Sequence, residues 1–176
     1  MRNHGLFNEG FKISFRKTVY KIENISYNSI VIINKYRICY YERRSLKMAY
    51  INYNANPKGV ITKDCVIRAL SKATDMTWDE VYDELYQIGR KKKMLLNDQK
   101  VYKVFLKNHG FYQHHALRDM NGSRMTVGEF SKEVPHGSYY IVHTRKHLTV
   151  VYNGDIYDTW NTSYETSGKF WTTWSE

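Results

Sequence analysis

His147-Leu148-Thr149-Val150-Val151-Tyr152-Asn153-Gly154-Asp155-Ile156-Tyr157-Asp158-Thr159-Trp160 is the stretch on which the reading of this chain turns. Asn-Gly between two β-rich runs is the strongest short hairpin signal, because a type I′ turn needs positive φ at both central residues. A two-residue turn at Asn153-Gly154 sets Tyr152 opposite Asp155 and Thr149 opposite Asp158. His147 lies two residues beyond Thr149 and therefore on the same face. Diagonal neighbours in such a ladder are roughly 7–8 Å apart, which leaves room for the Asp158 carboxylate to reach the His147 imidazole. A slip of one residue would place them on opposite faces and leave Asn161 as the substitute partner.

Upstream of this hairpin, Ser138 to Val142 reads as another strand. Before it the period changes to that of helices. Thr77-Trp78-Asp79-Glu80 and Thr126 with Glu129 both have the spacing of a capping box. The first opens a helix with Trp78, Val81, Tyr82, Leu85 and Ile88 on one face. Another helix is expected from Asn97 or Asp98, burying Val101, Val104, Phe105 and Leu106 and stopping at Gly110. The earliest helix of this series begins at Asp64 or Cys65, with Val66, Ala69, Leu70 and Ala73 at core spacing. Helices first and an antiparallel sheet afterwards predict an α+β domain.

Cys65 stands at the expected start of a helix, where unpaired amides and the helix dipole favour a thiolate. A nucleophile (Cys65), a base (His147) and a group to orient the base (Asp158) are thus all present. Taken singly each residue is better explained by packing or turn chemistry; their joint placement is what suggests a site. Asp64-Cys65 at a helix start, His147 at a strand start and Asp158-Thr159-Trp160 on the next strand resemble the papain-like cysteine peptidases. The nearer likeness is to the group related to the bacteriocin-processing, double-glycine leader peptidases. The resemblance spans roughly residues 56–161 and implies a papain-like fold over 48–176. It also implies a catalytic triad of Cys65, His147 and Asp158, with Trp160 shielding the imidazole–carboxylate pair. Peptide or isopeptide amides are the implied substrates, in a small phage or mobile-element protein that acts on a host protein in the host cytoplasm. Glutamine-directed deamidation or transglutamination would use the same triad.

One position departs from that family's pattern. Six residues before the cysteine, where those peptidases carry a Gln that donates to the oxyanion, this chain has Gly59. Asn56, Thr62 and Lys63 are the nearest side-chain donors, with Asn56, Thr62 and the Cys65 amide the candidates for the role. Loss of one such donor costs on the order of 10²–10³ in rate.

The 176 residues fit one domain, and the formal charge of +10 at first suggests a nucleic-acid partner. Residues 1–47, however, hold 10 basic and 3 acidic residues, and residues 48–176 hold 17 and 14. The excess therefore falls mostly outside the expected domain, and Arg90-Lys91-Lys92-Lys93 reads as a solvated helix C-terminus. A nucleic-acid binder built on residues 1–47 and that run is the weakest of three readings; a catalytically silent papain-like binding module or phage inhibitor is the second. Two cysteines, Cys39 and Cys65, argue against a secreted disulfide framework. No signal-peptide pattern appears, and Ser29-Ile30-Val31-Ile32-Ile33 falls far short of the ~18 apolar residues of a membrane span. A cytoplasmic protein is expected. His109, His114, His115, His136 and His143 lack the spacing of a metal motif, so neither a metal nor a cofactor is expected. Residues 1–47 have no sustained period. Arg43-Arg44 can be encoded by AGGAGG, a ribosome-binding sequence, shortly before Met48, so the expectation is a peripheral segment translated from upstream of the true start.

Overall fold

A computed structural model describes residues 29–34, 37–42 and 48–174. The chain divides into two units, with the boundary between Ser45 and Leu46. In the first, β1 (Ser29–Asn34) pairs antiparallel with β2 (Arg37–Glu42), from Ser29 opposite Glu42 to Asn34 opposite Arg37. Sequence periodicity predicts no structure here, although Ile30 to Ile33 are the β-branched residues that strands favour. The expectation of an upstream mis-start over residues 1–47 falls mostly outside the described residues.

The second unit is α+β. Its elements are β3 (Tyr50–Asn52), α1 (Cys65–Thr74), α2 (Trp78–Lys92), α3 (Gln99–Asn108), β4 (Tyr112–His114), α4 (Val127–Glu133), β5 (Tyr139–His143), β6 (Leu148–Tyr152), β7 (Asp155–Asp158) and β8 (Phe170–Thr172). The six strands form one sheet in the order β3-β7-β6-β5-β8-β4. All neighbours are antiparallel except β3 and β7, which run parallel. The expectation of a wholly antiparallel sheet is corrected at that edge. β3 precedes the helices, and the long excursion through them returns the chain in the direction that a parallel pairing requires.

Both faces of the sheet are covered. Val66, Leu70, Val81, Leu85, Phe105 and Leu106 of α1–α3 pack on one face against Ile141, Leu148, Val150 and Trp171. Val127, Phe130 and Val134, in and just after α4, pack on the other against Tyr140, Val142, Val151, Ile156 and Phe170. The alternation of β5 and β6 serves both layers, so these strands read as near-continuous apolar runs. Two helix-face expectations need correction. Val104 is only half-buried, and Tyr82 lies at the rim, exposed and stacked on Trp78 at 5.0 Å. The buried stripe of α2 is Val81, Leu85 and Gly89, one helical turn apart, and Tyr82 projects beside it.

Both capping boxes form, at Thr77 with Glu80 and at Thr126 with Glu129. Arg90, Lys91 and Lys92 occupy the last turn of α2, where they complement the helix dipole. Asn153 (φ 51°) and Gly154 (φ 86°) both take positive φ, as a type I′ turn demands. Tyr152 consequently pairs with Asp155 and Val150 with Tyr157. Among the described residues no helix is long and apolar enough to cross a membrane.

Candidate active site

The register of that hairpin decides what meets what at its open end. Asp158 closes β7 and His147 immediately precedes β6, both on the face predicted from a two-residue turn. His147 Nε2 donates to Asp158 Oδ2 at 2.6 Å; an ionised carboxylate only accepts, which assigns that proton. Asp158 is 4% exposed, so this contact is shielded from water. Its second oxygen accepts from the backbone N–H of Thr159 at 2.8 Å. The Trp160 ring lies 5.4 Å from the imidazole, tilted by 46°, and is itself half-exposed. Asn161 turns elsewhere: its Oδ1 accepts from the Ser163 amide.

Cys65 is the first residue of α1 and is half-buried. Its thiol is hydrogen-bonded to His147 and to the backbone amide of Leu148. Since Nε2 is committed to Asp158, Nδ1 is the nitrogen that faces the sulfur. Burial works to raise the thiol pKa. The His147 and Leu148 hydrogen bonds, with the positive charges of His147 and Arg68, outweigh it and hold the thiol below its ordinary value. For the imidazole, burial works to lower the pKa; the Asp158 and Cys65 hydrogen bonds and charges prevail and push it up to about 9. The two shifts have one origin: each group favours the charged form of the other, so the pair titrates as a coupled unit.

The residue just before the cysteine leaves the start of α1 without a side-chain cap. Asp64 occupies the N-cap of α1, yet its side chain forms no cap hydrogen bond. Its carboxylate instead accepts from the Arg68 guanidinium, from Trp78 Nε1 at 2.9 Å and from Asn56 Nδ2 at 3.4 Å. The first amides of α1 are therefore uncapped, and a helix offers them no internal carbonyl. They stand open to a thiolate, or to an oxyanion formed on it. Arg68 is buried and also lies 3.9 Å from Asp158, so one cation is held between two buried carboxylates.

Of the side chains considered as oxyanion donors, Asn56 is turned onto Asp64. Thr62 is exposed, and it contributes its carbonyl to Arg68 at 3.3 Å. Sequence reasoning missed Arg68 and the Leu148 amide. The spacing of Asp64 and Arg68, one helical turn apart, was the available signal for the first; nothing in a sequence announces the second. Several histidines considered for metal binding have other company. His109 contacts Glu84 at 2.8 Å, His114 stacks on Phe170, and His143 lines a basic pocket. Comparison with family models, with curated proteins and with solved structures finds no match to this chain.

Proposed function

We propose that the chain is a thiol-dependent hydrolase or acyl-transfer enzyme of the papain-like kind, with Cys65 as nucleophile, His147 as acid and base, and Asp158 as the residue that orients the ring. The observation that carries this reading is the continuous line of hydrogen bonds from the Cys65 thiol through His147 to the buried Asp158 carboxylate. The Cys65 thiolate attacks a peptide or isopeptide carbonyl carbon, and the carbonyl oxygen takes the negative charge. The uncapped amides of α1 supply donors for that oxyanion. His147 then gives its Nδ1 proton to the departing amine as the C–N bond breaks, leaving a thioester on Cys65. Water, deprotonated by the neutral imidazole, attacks the thioester and releases the acid and the free thiol; an amine in place of water gives acyl transfer. The same steps serve a glutamine side chain, so deamidation and transglutamination belong to this reading. Phage origin and action on a host protein remain part of the proposal through the sequence resemblance alone.

The commitment of Asn56 to Asp64 favours a second reading, a papain-like binding module whose oxyanion site is incomplete. Labelling with a broad chloroacetamide probe at pH 6–8 separates them. The hydrolase reading expects rapid labelling at Cys65, absent in Cys65→Ala and slowed in His147→Ala. A Cys65 that reacts no faster than an unperturbed cysteine refutes it and leaves the binding module.

A further inference from the structure

The end of the sheet that carries His147 continues, one strand over, into a second feature. A cavity of about 540 Å³ is lined by Arg118, Arg124, Lys169, His115 and His143. No carboxylate lines it. Among the described residues no acidic side chain pairs with Arg118, Arg124 or Lys169; Arg118 donates to the Gly122 carbonyl, and the Lys169 ammonium lies over the Trp171 ring. The nearest acid in sequence, Asp119, spends its Oδ1 on the amides of Asn121 and Ser123 within its own loop. Burial and the neighbouring Lys169 hold the His143 pKa below its ordinary value, so at neutral pH its ring offers hydrogen bonding without charge.

Backbone pairing fixes where this cavity stands relative to the thiol. His143 pairs with Leu148, and the Leu148 amide is hydrogen-bonded to Cys65. The turn that joins them, closed by Thr144 N–H donating to the His147 carbonyl at 2.9 Å, exposes Arg145 and Lys146. On the other side of His143, Gly168 donates its N–H to the His143 carbonyl. A Cβ at Gly168 would lie 2.7 Å from that same oxygen, so glycine is what lets the Lys169 segment approach. The exposed Arg145 and Lys146 thus sit in the turn between His143, which lines the cavity, and His147, which meets the thiol.

We propose that this cavity is a substrate subsite that holds acidic side chains of the peptide on which Cys65 acts. The inference rests on the thiol-hydrolase reading and adds its substrate class. Uncompensated arginine and lysine side chains select carboxylates, and arginine binds them with two parallel hydrogen bonds. The recorded volume holds side chains rather than a single small ion. No Phe, Tyr or Trp lines it, which argues against the stacking platform that single-stranded nucleic acid requires.

The test uses the full chain, a fluorescein-labelled hexaglutamate peptide and its hexaglutamine counterpart, and the same two peptides carrying a C-terminal chloromethyl ketone. Hexaglutamate should bind more tightly by anisotropy at low ionic strength, by about tenfold or more, and added salt should erode the difference. The glutamate ketone should alkylate Cys65 faster than the glutamine ketone by a similar factor. Arg124→Glu with Lys169→Glu should abolish both preferences while iodoacetamide still labels Cys65 at the wild-type rate, which shows the fold intact. Equal behaviour of the two peptides, or a preference that survives charge reversal, overturns the proposal. So does tighter binding of an oligo-dT through the same two residues, which assigns the cavity to nucleic acid. The two failures separate. A Cys65→Ala protein that still binds hexaglutamate, beside a wild-type Cys65 that is inert to iodoacetamide, refutes the hydrolase reading and with it the subsite role. A reactive Cys65 with no glutamate preference refutes the subsite alone.

Discussion

Two imidazole–carboxylate contacts among the described residues are nearly equal in length. His109 meets Glu84 at 2.8 Å between α3 and α2, and His147 meets Asp158 at 2.6 Å at the end of the sheet. The first pair has side chains 28% and 30% exposed, with the His109 ring stacked on Phe105. In the second they are 15% and 3% exposed. A thiol lies on the far side of the ring, and a buried arginine stands behind the carboxylate. The hydrogen bond alone therefore distinguishes nothing; what differs is the shielding, which strengthens every charge–charge contact, and the company each pair keeps.

Several substitutions test that difference. The largest effect is expected from Cys65→Ala, which should eliminate rapid labelling and any hydrolytic turnover; undiminished turnover, followed by product formation, would break the comparison outright. His147→Ala should slow alkylation of Cys65 at pH 6 by on the order of tenfold or more, because the thiol loses the hydrogen bond and charge that lower its pKa. His109→Ala, tested in the same assay, should leave the rate unchanged.

The pH profile of turnover should be bell-shaped. The proposed mechanism requires a thiolate and an imidazolium together. Cys65 holds its thiolate below the ordinary thiol pKa of 9.0, so the acid limb should fall only where that lowered pKa is passed. His147 keeps its proton up to about 9, so the alkaline limb should fall near there. Because the groups are coupled, the two limbs belong to the pair. An NMR titration of the His147 ring with a midpoint near the ordinary histidine value would contradict the coupled state.

Asp158→Asn should slow the reaction, and it should also destabilise the fold. Its burial and the neighbouring Arg68 are the reason. Removing one member of a buried charged group costs about 3–5 kcal/mol, read as a lower urea midpoint. Glu84→Gln at the more open pair should cost under about 1 kcal/mol, the usual range for solvent-accessible ion pairs. Equal losses at the two sites would mean that shielding is not what sets them apart.

Much of this was legible in one dimension because it depends on local chemistry. Asn153-Gly154 dictates a type I′ turn, the turn dictates register, and register places His147 and Asp158 on one face. Thr77 with Glu80 and Thr126 with Glu129 announce their helices through contacts three residues apart. The three-residue strands β3, β4 and β8 were not legible, since so short a segment carries no period and gains its pairing from neighbours far along the chain. The same holds for the half-buried Val104 and the exposed Tyr82, whose burial depends on how α2 and α3 pack against each other and α1.

What the sequence determined by itself was the identity of the candidate groups, Cys65, His147 and Asp158, and the turn that brings two of them together. Tertiary structure alone decided that Asp64 faces Arg68, Trp78 and Asn56 instead of capping its own helix, which leaves the α1 amides open beside Cys65. It alone decided that Arg118, Arg124 and Lys169 converge without a carboxylate among them. Long-range pairing carries these decisions. Hydrogen-bond partners and charge neighbours from distant segments are set by sheet order and helix packing, and no local propensity encodes either.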